Sequence, residues 1–200
     1  MADCLYVCLQ DDDKIACFSI DSGAGGLTRQ ADVSAAGGPS VMALSPDRRV
    51  LYVGLRTRPA ISSFRINPSS GALTPQGTVP SADAPTFLAT DRTGRFLLSA
   101  YYQGGYAAVH PLGPDGAVGA PALDRQDTAT GAHAIATDPS NSFAFVPHIS
   151  RVQDNVLEPP KNIAGPNFIA QFRFDPQSGR LSPNTPFRVE QRELVGPRHY

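Results

Sequence analysis

The side chains of this sequence that could do chemistry are an arginine and a few histidines spread along the chain. Arg198 and His199 stand side by side in a Gly-Pro-Arg-His segment, and His133 lies well before them. A guanidinium binds carboxylate and phosphate oxygens through a planar fork of N–H donors, and an imidazole can exchange a proton near neutral pH. Such groups could bind an anion, stabilise a developing negative charge and move protons, provided that the fold brings them together.

A repeat of about 46 residues runs through the chain and predicts how those side chains are positioned. The segment Leu5–Val7 recurs unchanged at Leu51–Val53, and in looser form at Phe96–Leu98 and Phe143–Phe145. In the predicted strand that follows each copy, one position holds a ring, and these rings are Phe18, Phe64, His110 and Phe172. Repeats of this length are typical of architectures built by copying one small unit.

Each copy of the repeat contains four short runs of β-branched and aromatic residues, separated by Gly, Pro, Asn and Asp. No segment has a 3.6-residue apolar period, so the sequence predicts strands and almost no helix. We therefore expect an all-β chain, a β-propeller of four-stranded antiparallel blades. The sequence contains no tryptophan, which excludes the WD dipeptide of WD40 propellers. In the second copy the four predicted strands are Val41–Leu44, Val50–Leu55, Ile61–Ile66 and Leu73–Val79.

The register of the repeat predicts a single propeller domain over residues 1–200 that is incomplete. An open arc of blades would expose apolar faces and strand edges, which proteins avoid. We therefore expect an N-terminal portion of a longer protein, with the remaining blades of the same propeller elsewhere. The predicted boundaries are about 1–37 for strands two to four of blade one, 38–82 for blade two, 83–129 for blade three, 130–194 for blade four and 195–200 for the start of blade five.

One face of the predicted propeller carries the candidate site residues. The turns between the second and third strands of the blades reach this face, and long turns on a rigid scaffold are often functional. Those turns carry Arg56, Tyr101 and His148 as candidate substrate-binding residues, and an insertion from Arg151 to Phe168 follows. One position near the start of each first strand also points to this mouth, and its residues are Ser40, Thr86, His133 and Arg198.

Each candidate also has a structural interpretation. Arg198 could bridge neighbouring blades, and His133 could line the channel while bonded to the backbone. His199 follows Arg198 in a predicted strand, so we expect it to point to the opposite side of the sheet and to pack between blades. One of Tyr101 and its neighbour Tyr102 is expected to belong to the core, and Arg56 could be an ordinary surface residue.

The opposite face of the predicted propeller carries one aspartate in each turn between the first and second strands. These residues are Asp47, Asp91 and Asp138. Aspartate side chains in turns commonly accept hydrogen bonds from nearby backbone N–H groups. We therefore expect these three carboxylates to cap turns rather than to take part in chemistry.

The composition excludes several classes of partner. The formal net charge is −1 and charged residues make up 18% of the chain, so neither nucleic acid nor an anionic membrane is expected as a partner. Cys4, Cys8 and Cys17 are interpreted as buried free thiols of a reducing compartment. The sequence shows no signal peptide, and we expect a cytoplasmic protein. His133, His148 and His199 lack the short ligand spacing of a zinc site, so neither a metal nor another cofactor is expected.

The Gly-Pro-Arg-His segment, His133 one repeat earlier and the Ser45–Gly54 frame resemble one known family. The chain is similar over nearly its whole length to the lactonase-type seven-bladed propellers, the family of bacterial 6-phosphogluconolactonase. The resemblance implies about four of seven blades in this chain. It also implies a pocket at one mouth of the channel, where His133, Arg198 and His199 match motif positions.

What the resemblance implies for function is the hydrolysis of a sugar-acid lactone by the full-length protein, in the first place 6-phosphogluconolactone to 6-phosphogluconate. In that interpretation His133 and Arg198 are catalytic, while His199, Tyr101, His148 and Arg56 bind substrate. The family also places an acidic residue just beyond the Gly-Pro-Arg-His segment, after Tyr200. Two alternatives remain open: a carboxy-muconate-type lactone cyclising enzyme, and a propeller that binds a partner without catalysis.

Overall fold

The computed structural model describes residues 3–149, 166–192 and 195–199, which form four antiparallel sheets of four strands each and contain no helix. The all-β prediction is therefore confirmed for the described residues. The first two sheets contain β1 (Cys4–Leu9), β2 (Lys14–Ile20), β3 (Leu27–Arg29) and β4 (Val33–Ser34), and then β5 (Pro39–Leu44), β6 (Val50–Leu55), β7 (Ala60–Ile66) and β8 (Leu73–Pro80). The last two contain β9 (Phe87–Thr90), β10 (Phe96–Tyr101), β11 (Tyr106–Pro111) and β12 (Asp124–Asp127), and then β13 (Ala136–Thr137), β14 (Phe143–Pro147), β15 (Phe168–Asp175) and β16 (Arg180–Glu190).

The strands of each sheet differ in burial according to their place in the blade. Every residue of β6 and β10 is buried, because these second strands are covered on both faces by neighbouring sheets. The outer strand β8 is mostly exposed and keeps only its first residue buried. Such two-sided burial explains why the second strands read as continuous apolar runs rather than as alternating ones. The four strand predictions for the second copy match β5 to β8 within two residues.

The first sheet is built differently from the other three. Its strand β1 pairs with β2, and the short strands β3 and β4 both pair with the other edge of β2. Leu5 in β1 pairs with Phe18, just as Leu51 in β6 pairs with Phe64. By register, then, β1 corresponds to a second strand of the other sheets.

The strand pairing corrects the predicted alignment of the third and fourth copies. The ring positions are right, but His110 pairs with Leu97 and Phe172 pairs with Ala144. Phe96 and Phe143 therefore correspond to Val50 rather than to Leu51, one residue from the predicted match. A slip of one residue exchanges the two faces of a strand, but β10 and β14 carry apolar residues on both faces, so the sequence pattern does not reveal it.

Neighbouring sheets are joined by a recurring hydrogen bond. Tyr6 of the first sheet donates its hydroxyl to the carbonyl oxygen of Gly71 in the second, at 2.6 Å, and Tyr52 does the same to Gly116 in the third, at 2.8 Å. Apolar clusters fill the spaces between consecutive sheets. The cluster between the third and fourth sheets contains Phe96 and Phe172. Each blade thus buries its faces only against its neighbours.

The turns between first and second strands are capped by side chains, as predicted for Asp91 and Asp138. Asp91 accepts hydrogen bonds from the backbone N–H groups of Arg95 and Phe96, and Asp138 accepts those of Ser142 and Phe143.

In the second blade the equivalent position is Ser45, while Asp47 also caps the turn, as predicted, by accepting the N–H of Arg49 at 3.1 Å. The Ser45 hydroxyl oxygen accepts the N–H groups of Arg49 and Val50, at 3.0 and 2.9 Å. In all three turns a hydroxyl donates to a carboxylate two residues away, but Ser45 and Asp47 have exchanged places relative to the other two pairs.

The cysteines, the predicted insertion and the absence of a membrane-spanning segment were also predicted from the sequence. Cys4, Cys8 and Cys17 are free thiols, although only Cys17 is buried. The predicted insertion from Arg151 falls almost wholly outside the described residues, apart from its last few positions. None of the described segments is a helix that is long and apolar enough to cross a membrane.

Candidate functional site

His133 lies in the segment that leads into β13, where the fourth blade begins. Its backbone N–H donates to the carbonyl oxygen of Pro147 at 3.0 Å, which places the segment against the end of β14. The side chain is only 9% exposed. An imidazole so deeply enclosed is held in one orientation by its surroundings, which suits a group that must meet a ligand in a fixed geometry.

Arg198 contacts His133 directly, as the predicted site requires. The Nε–H of Arg198 donates to Nε2 of His133 at 3.0 Å. Since a guanidinium only donates, Nε2 must carry a lone pair, and the proton of the neutral imidazole then resides on Nδ1. Nδ1 is buried and has no hydrogen-bond partner among the described residues. In this arrangement His133 orients Arg198, and its Nε2 is not available as a base.

His199 also packs against His133, which corrects the expectation that it points away from Arg198. The rings of His199 and His133 meet edge to face, with centroids 4.8 Å apart, and the ring of His199 lies 6.1 Å from that of Phe87 in β9. Residues 195–199 do not form a strand. Strict alternation of side chains therefore does not apply to them, and two consecutive side chains can reach the same imidazole.

The electrostatic environment keeps His133 neutral. Burial, the positive charge of Arg198 and the neighbouring His199 together lower the pKa of His133 to about 4, from an ordinary value of 6.5. Each cause penalises the imidazolium, the first by desolvation and the others by repulsion. A permanently charged guanidinium beside a neutral imidazole favours the binding of an anion more than the transfer of a proton by His133 itself.

Tyr102, rather than the predicted Tyr101, belongs to this group. Tyr101 is only 1% exposed and stacks on Tyr106, with ring centroids 4.2 Å apart, so it is a core residue. The ring of Tyr102 meets the ring of His133 at a right angle, with centroids 6.2 Å apart. The sequence does not distinguish which of the two tyrosines is in the core, and the structure assigns that place to Tyr101.

His148 is buried and supports its neighbours, whereas it was predicted to bind substrate. It is fully buried, its ring stacks on Phe168 at 4.1 Å, and its Nε2 lies 2.8 Å from the hydroxyl oxygen of Thr128. Burial lowers the pKa of His148 to about 4, so this ring is neutral at pH 7. A substrate cannot touch a side chain that is wholly enclosed.

Arg56 lies outside the group around His133. It is exposed in the turn between β6 and β7, and its backbone N–H bonds the carbonyl oxygen of Gly38 at 2.8 Å. Within the described residues, the contacts that hold His133 come from the third and fourth blades and from 195–199. A role for Arg56 in binding stays a prediction.

Phe87 is the residue of this group that the sequence analysis missed. It follows Thr86, just as His199 follows Arg198, so the two rings occupy the same position of the repeat. The same comparison that singled out His133 and Arg198 would have found Phe87 one residue later. In the parts of the chain that the structure describes, no three His, Cys, Asp or Glu side chains are grouped as metal ligands would be.

The described contacts give this group a defined chemical character. Two rings meet His133, those of Tyr102 and His199, and one guanidinium is fixed to its Nε2; Phe87 packs on the far side against His199. Rings offer flat surfaces to the apolar faces of a ligand, and the guanidinium offers charged donors to its oxygens. The arrangement suits a small anionic molecule with a ring.

A family model agrees with the interpretation from the sequence. The model described as "Lactonase, 7-bladed beta-propeller" matches residues 4–157 of this chain. This match covers more than half of the chain and extends over the first three sheets and part of the fourth. It includes His133, and Arg198 lies beyond it.

Curated relatives with similar sequences are named 6-phosphogluconolactonase. The protein from Serratia proteamaculans is 35% identical over 111 residues, which are 56% of this chain and 28% of the relative. The protein from Yersinia pestis is 33% identical over 200 residues, which are 100% of this chain and 54% of the relative. The chain thus spans about half the length of the relative that it matches along its whole length.

Solved structures share the fold. A putative 6-phosphogluconolactonase from Bacteroides fragilis superposes with a TM-score of 0.79 at 20% identity, over 98% of this chain and 56% of that one. A periplasmic gluconolactonase from Pseudomonas aeruginosa gives 0.77 at 24% identity, over 99% of this chain and 57% of that one. At these identities the likeness shows the architecture, and the chemistry has to be argued from the site.

Proposed function

This chain belongs to the lactonase family of seven-bladed β-propellers, and on that premise we propose that the group around His133 binds and hydrolyses a sugar-acid lactone. The observation that carries the proposal is the hydrogen bond at 3.0 Å between the guanidinium of Arg198 and the buried imidazole of His133. These residues lie 65 apart in the chain. A guanidinium held against a buried neutral imidazole is suited to bind an anionic ester.

The proposed reaction adds water to the lactone carbonyl and breaks the ring C–O bond. A negative charge develops on the carbonyl oxygen, and the guanidinium of Arg198 is suited to stabilise it or to bind the acid group of the substrate. His133 holds that guanidinium in place through Nε2. The ring oxygen leaves as a hydroxyl after taking up a proton, and the product is a carboxylate. The base that activates the water is proposed to be the acidic residue that family members carry beyond the Gly-Pro-Arg-His segment.

Within this class, 6-phosphogluconolactone is the proposed substrate. The names of the curated relatives support it, and so does the charge of a guanidinium that can bind a phosphate. We further propose that hydrolysis needs the remaining blades of the propeller, because the chain spans 54% of the relative that it matches throughout. A cytoplasmic location and a small-molecule partner belong to the same proposal.

Hydrolysis rates of the full-length protein and its variants provide the test. The acid released from freshly prepared 6-phosphogluconolactone is titrated at constant pH, with gluconolactone as the unphosphorylated comparison. Arg198→Ala should lower kcat/KM by about 100-fold or more, since loss of one charged donor from an oxyanion site typically costs that much. Arg198→Lys keeps the charge but cannot bond His133 in the same geometry. Its kcat/KM should fall between that of the unmodified protein and that of Arg198→Ala.

The matched control is Arg192→Ala, which removes an exposed arginine a few residues earlier in the chain. It should leave kcat/KM within about twofold of the unmodified protein. If Arg198→Ala and Arg192→Ala behave alike, the assigned site is wrong. If the unmodified full-length protein hydrolyses neither lactone, lactonase activity is rejected in favour of the binding or cyclising alternatives.

A further inference from the structure

The turn that follows β10 is fixed by more hydrogen bonds than a hairpin requires, to both ends of its own blade and to the segment that leads into the next. Tyr102 donates its backbone N–H to the hydroxyl oxygen of Thr86 at 3.0 Å, and its carbonyl oxygen accepts the N–H of Gly131 at 2.9 Å. Three residues on, the carbonyl oxygen of Gly105 accepts both the N–H and the hydroxyl of Thr128, at 2.8 and 3.1 Å. Both ends of the turn are therefore fixed.

Gly105 shows how closely the turn lies against its neighbour. Its φ of +68° is in the left-handed region, and a Cβ at this position would lie 2.8 Å from the carbonyl carbon of Ala129 and from the backbone nitrogen of Thr130. Only glycine satisfies both conditions. The turn thus rests directly on the backbone of the segment that contains Thr128.

His148 completes the support of this turn from within the core. The hydroxyl of Thr128 has one proton, which it donates to the carbonyl oxygen of Gly105. When the hydroxyl donates to Gly105 it accepts from Nε2 of His148, 2.8 Å away, and in that arrangement the imidazole carries its proton on Nε2. The ring is fixed in turn by stacking on Phe168, with an interplanar angle of 22°. A continuous line of contacts runs from β15 through His148 and Thr128 to Gly105.

We propose that His148 and Thr128 are positioning residues that hold the turn of Tyr102 so that its ring forms one wall of the substrate pocket beside His133. The ring of Tyr102 is the part of this turn that meets His133, with centroids 6.2 Å apart. The catalytic meaning of this role rests on the proposed lactonase function, whereas the mechanical role does not. Substrate binding depends on the wall, while the bond between Arg198 and His133 remains when the wall moves.

The mechanical role can be measured without any substrate, by tryptophan fluorescence of the 200-residue chain. Its sequence contains no tryptophan, so one can be introduced as a probe. Tyr102→Trp introduces the only tryptophan of this chain, and places it in the turn. In that background Thr128→Val removes the hydroxyl and keeps the shape, and we expect the rate constant of acrylamide quenching to rise at least about twofold, as expected for the loss of one or two hydrogen bonds. Thr128→Ser retains the hydroxyl and should restore the original value.

The matched control is Thr137→Val in the same background. The Thr137 hydroxyl is buried and has no hydrogen-bond partner among the described residues, so its removal should leave the quenching unchanged. Thermal unfolding of each variant confirms that the quenching is measured on folded protein. Equal quenching of the Thr128→Val and Thr137→Val proteins would overturn the mechanical role.

Kinetics of the full-length protein test the catalytic meaning, with Tyr102 left unchanged. Thr128→Val and His148→Leu should raise KM for 6-phosphogluconolactone by about fivefold, with kcat within about twofold, and His148→Gln should restore KM because it keeps a donor near Nε2. Unchanged KM values alongside altered quenching would overturn the positioning role. If quenching responds as expected but the unmodified protein hydrolyses no lactone, the mechanical role stands and the proposed function fails.

Discussion

The two faces of the blades use the same repeat in opposite ways. On the face of the turns between first and second strands, Ser45, Asp91 and Asp138 occupy one position and do one job, accepting backbone N–H groups four and five residues later. On the other face, one position is occupied by Thr86, His133 and Arg198 in successive blades, and each makes a different contact. Repetition therefore marks stability, and departure from it marks the candidate site.

Two buried groups, Asp91 on the capped face and His133 on the site face, differ in how completely their polar atoms are satisfied. Asp91 is fully buried, and both of its oxygens accept hydrogen bonds, one of them from Asn141 of the next blade at 2.8 Å. On the site face, Nδ1 of His133 is buried without a partner in the described residues. Most buried polar atoms in proteins are paired, so an unpaired one beside a candidate site is a position where a ligand or a water could bind.

The largest expected effect is on the capped face, with Asp91→Ala. This change leaves the N–H groups of Arg95 and Phe96 without their acceptor and removes the contact with Asn141, so we expect the free energy of unfolding to fall by about 3–5 kcal/mol. Urea unfolding measures it. The control Asp115→Ala removes an exposed carboxylate that caps one N–H, and it should cost less than about 1 kcal/mol. Similar losses for both variants would contradict the assignment of Asp91 as the main cap.

The second expected effect is that the two faces lose folding stability in different pH ranges. The pKa of His148 is lowered to about 4 in the folded protein against an ordinary 6.5, so the unfolded chain binds more protons and stability is lost as the pH falls from about 6.5 to about 4. Burial alone would raise the pKa of Asp138, but hydrogen bonds from Ser140 and the Phe143 N–H lower it to about 2. The contribution of Asp138 to folding stability is therefore lost only as the pH falls below the ordinary pKa of 3.8.

Two variants test this separation by urea unfolding at a series of pH values. His148→Gln should reduce the slope of stability against pH by about 1.4 kcal/mol per pH unit between pH 6 and 4.5, and leave it unchanged below. Asp138→Asn should change the slope only below pH 4. Each variant is the control for the other, and a change in the same pH range for both would refute the separation.

The smallest expected effect tests whether the capped face is interchangeable between blades. Ser45 and Asp47 form the same hydroxyl–carboxylate pair as Asp138 and Ser140, in reversed order. The double exchange Ser45→Asp with Asp47→Ser should therefore keep the unfolding free energy within about 1 kcal/mol of the original. Ser45→Asp alone places two carboxylates together and should cost more. A double variant that is as unstable as the single one would show that the pair depends on its blade.

Most of the fold could be predicted from the sequence, because its signals are local. The ring positions Phe18, Phe64 and Phe172 and the strand bounds of the second blade followed from alternation and turn residues. The one-residue slip at Phe96 and Phe143 could not be seen, since β10 and β14 carry apolar residues on both faces and lack an alternating sequence pattern. For the same reason the choice between Tyr101 and Tyr102 needed the structure.

The candidate site was predicted in part. The sequence pointed to His133 and Arg198 because they break the pattern of their own repeat, and the structure brings them within hydrogen-bond distance. It misassigned His148, since nothing in a sequence distinguishes a buried histidine from an exposed one at the end of a strand. The place of His199 beside His133 depends on residues 195–199 leaving strand geometry, which the alternation rule did not anticipate.

The sequence by itself determined the repeat, the all-β architecture and the position at which its copies diverge, because turns and strand periodicity are set by neighbouring residues. Only the tertiary structure decided which side chains meet. The tautomer of His133, the wall formed by Tyr102 and the support from His148 arise between blades, from residues distant in the chain. Contacts of this kind depend on packing and on a register of single residues, and a local pattern carries neither.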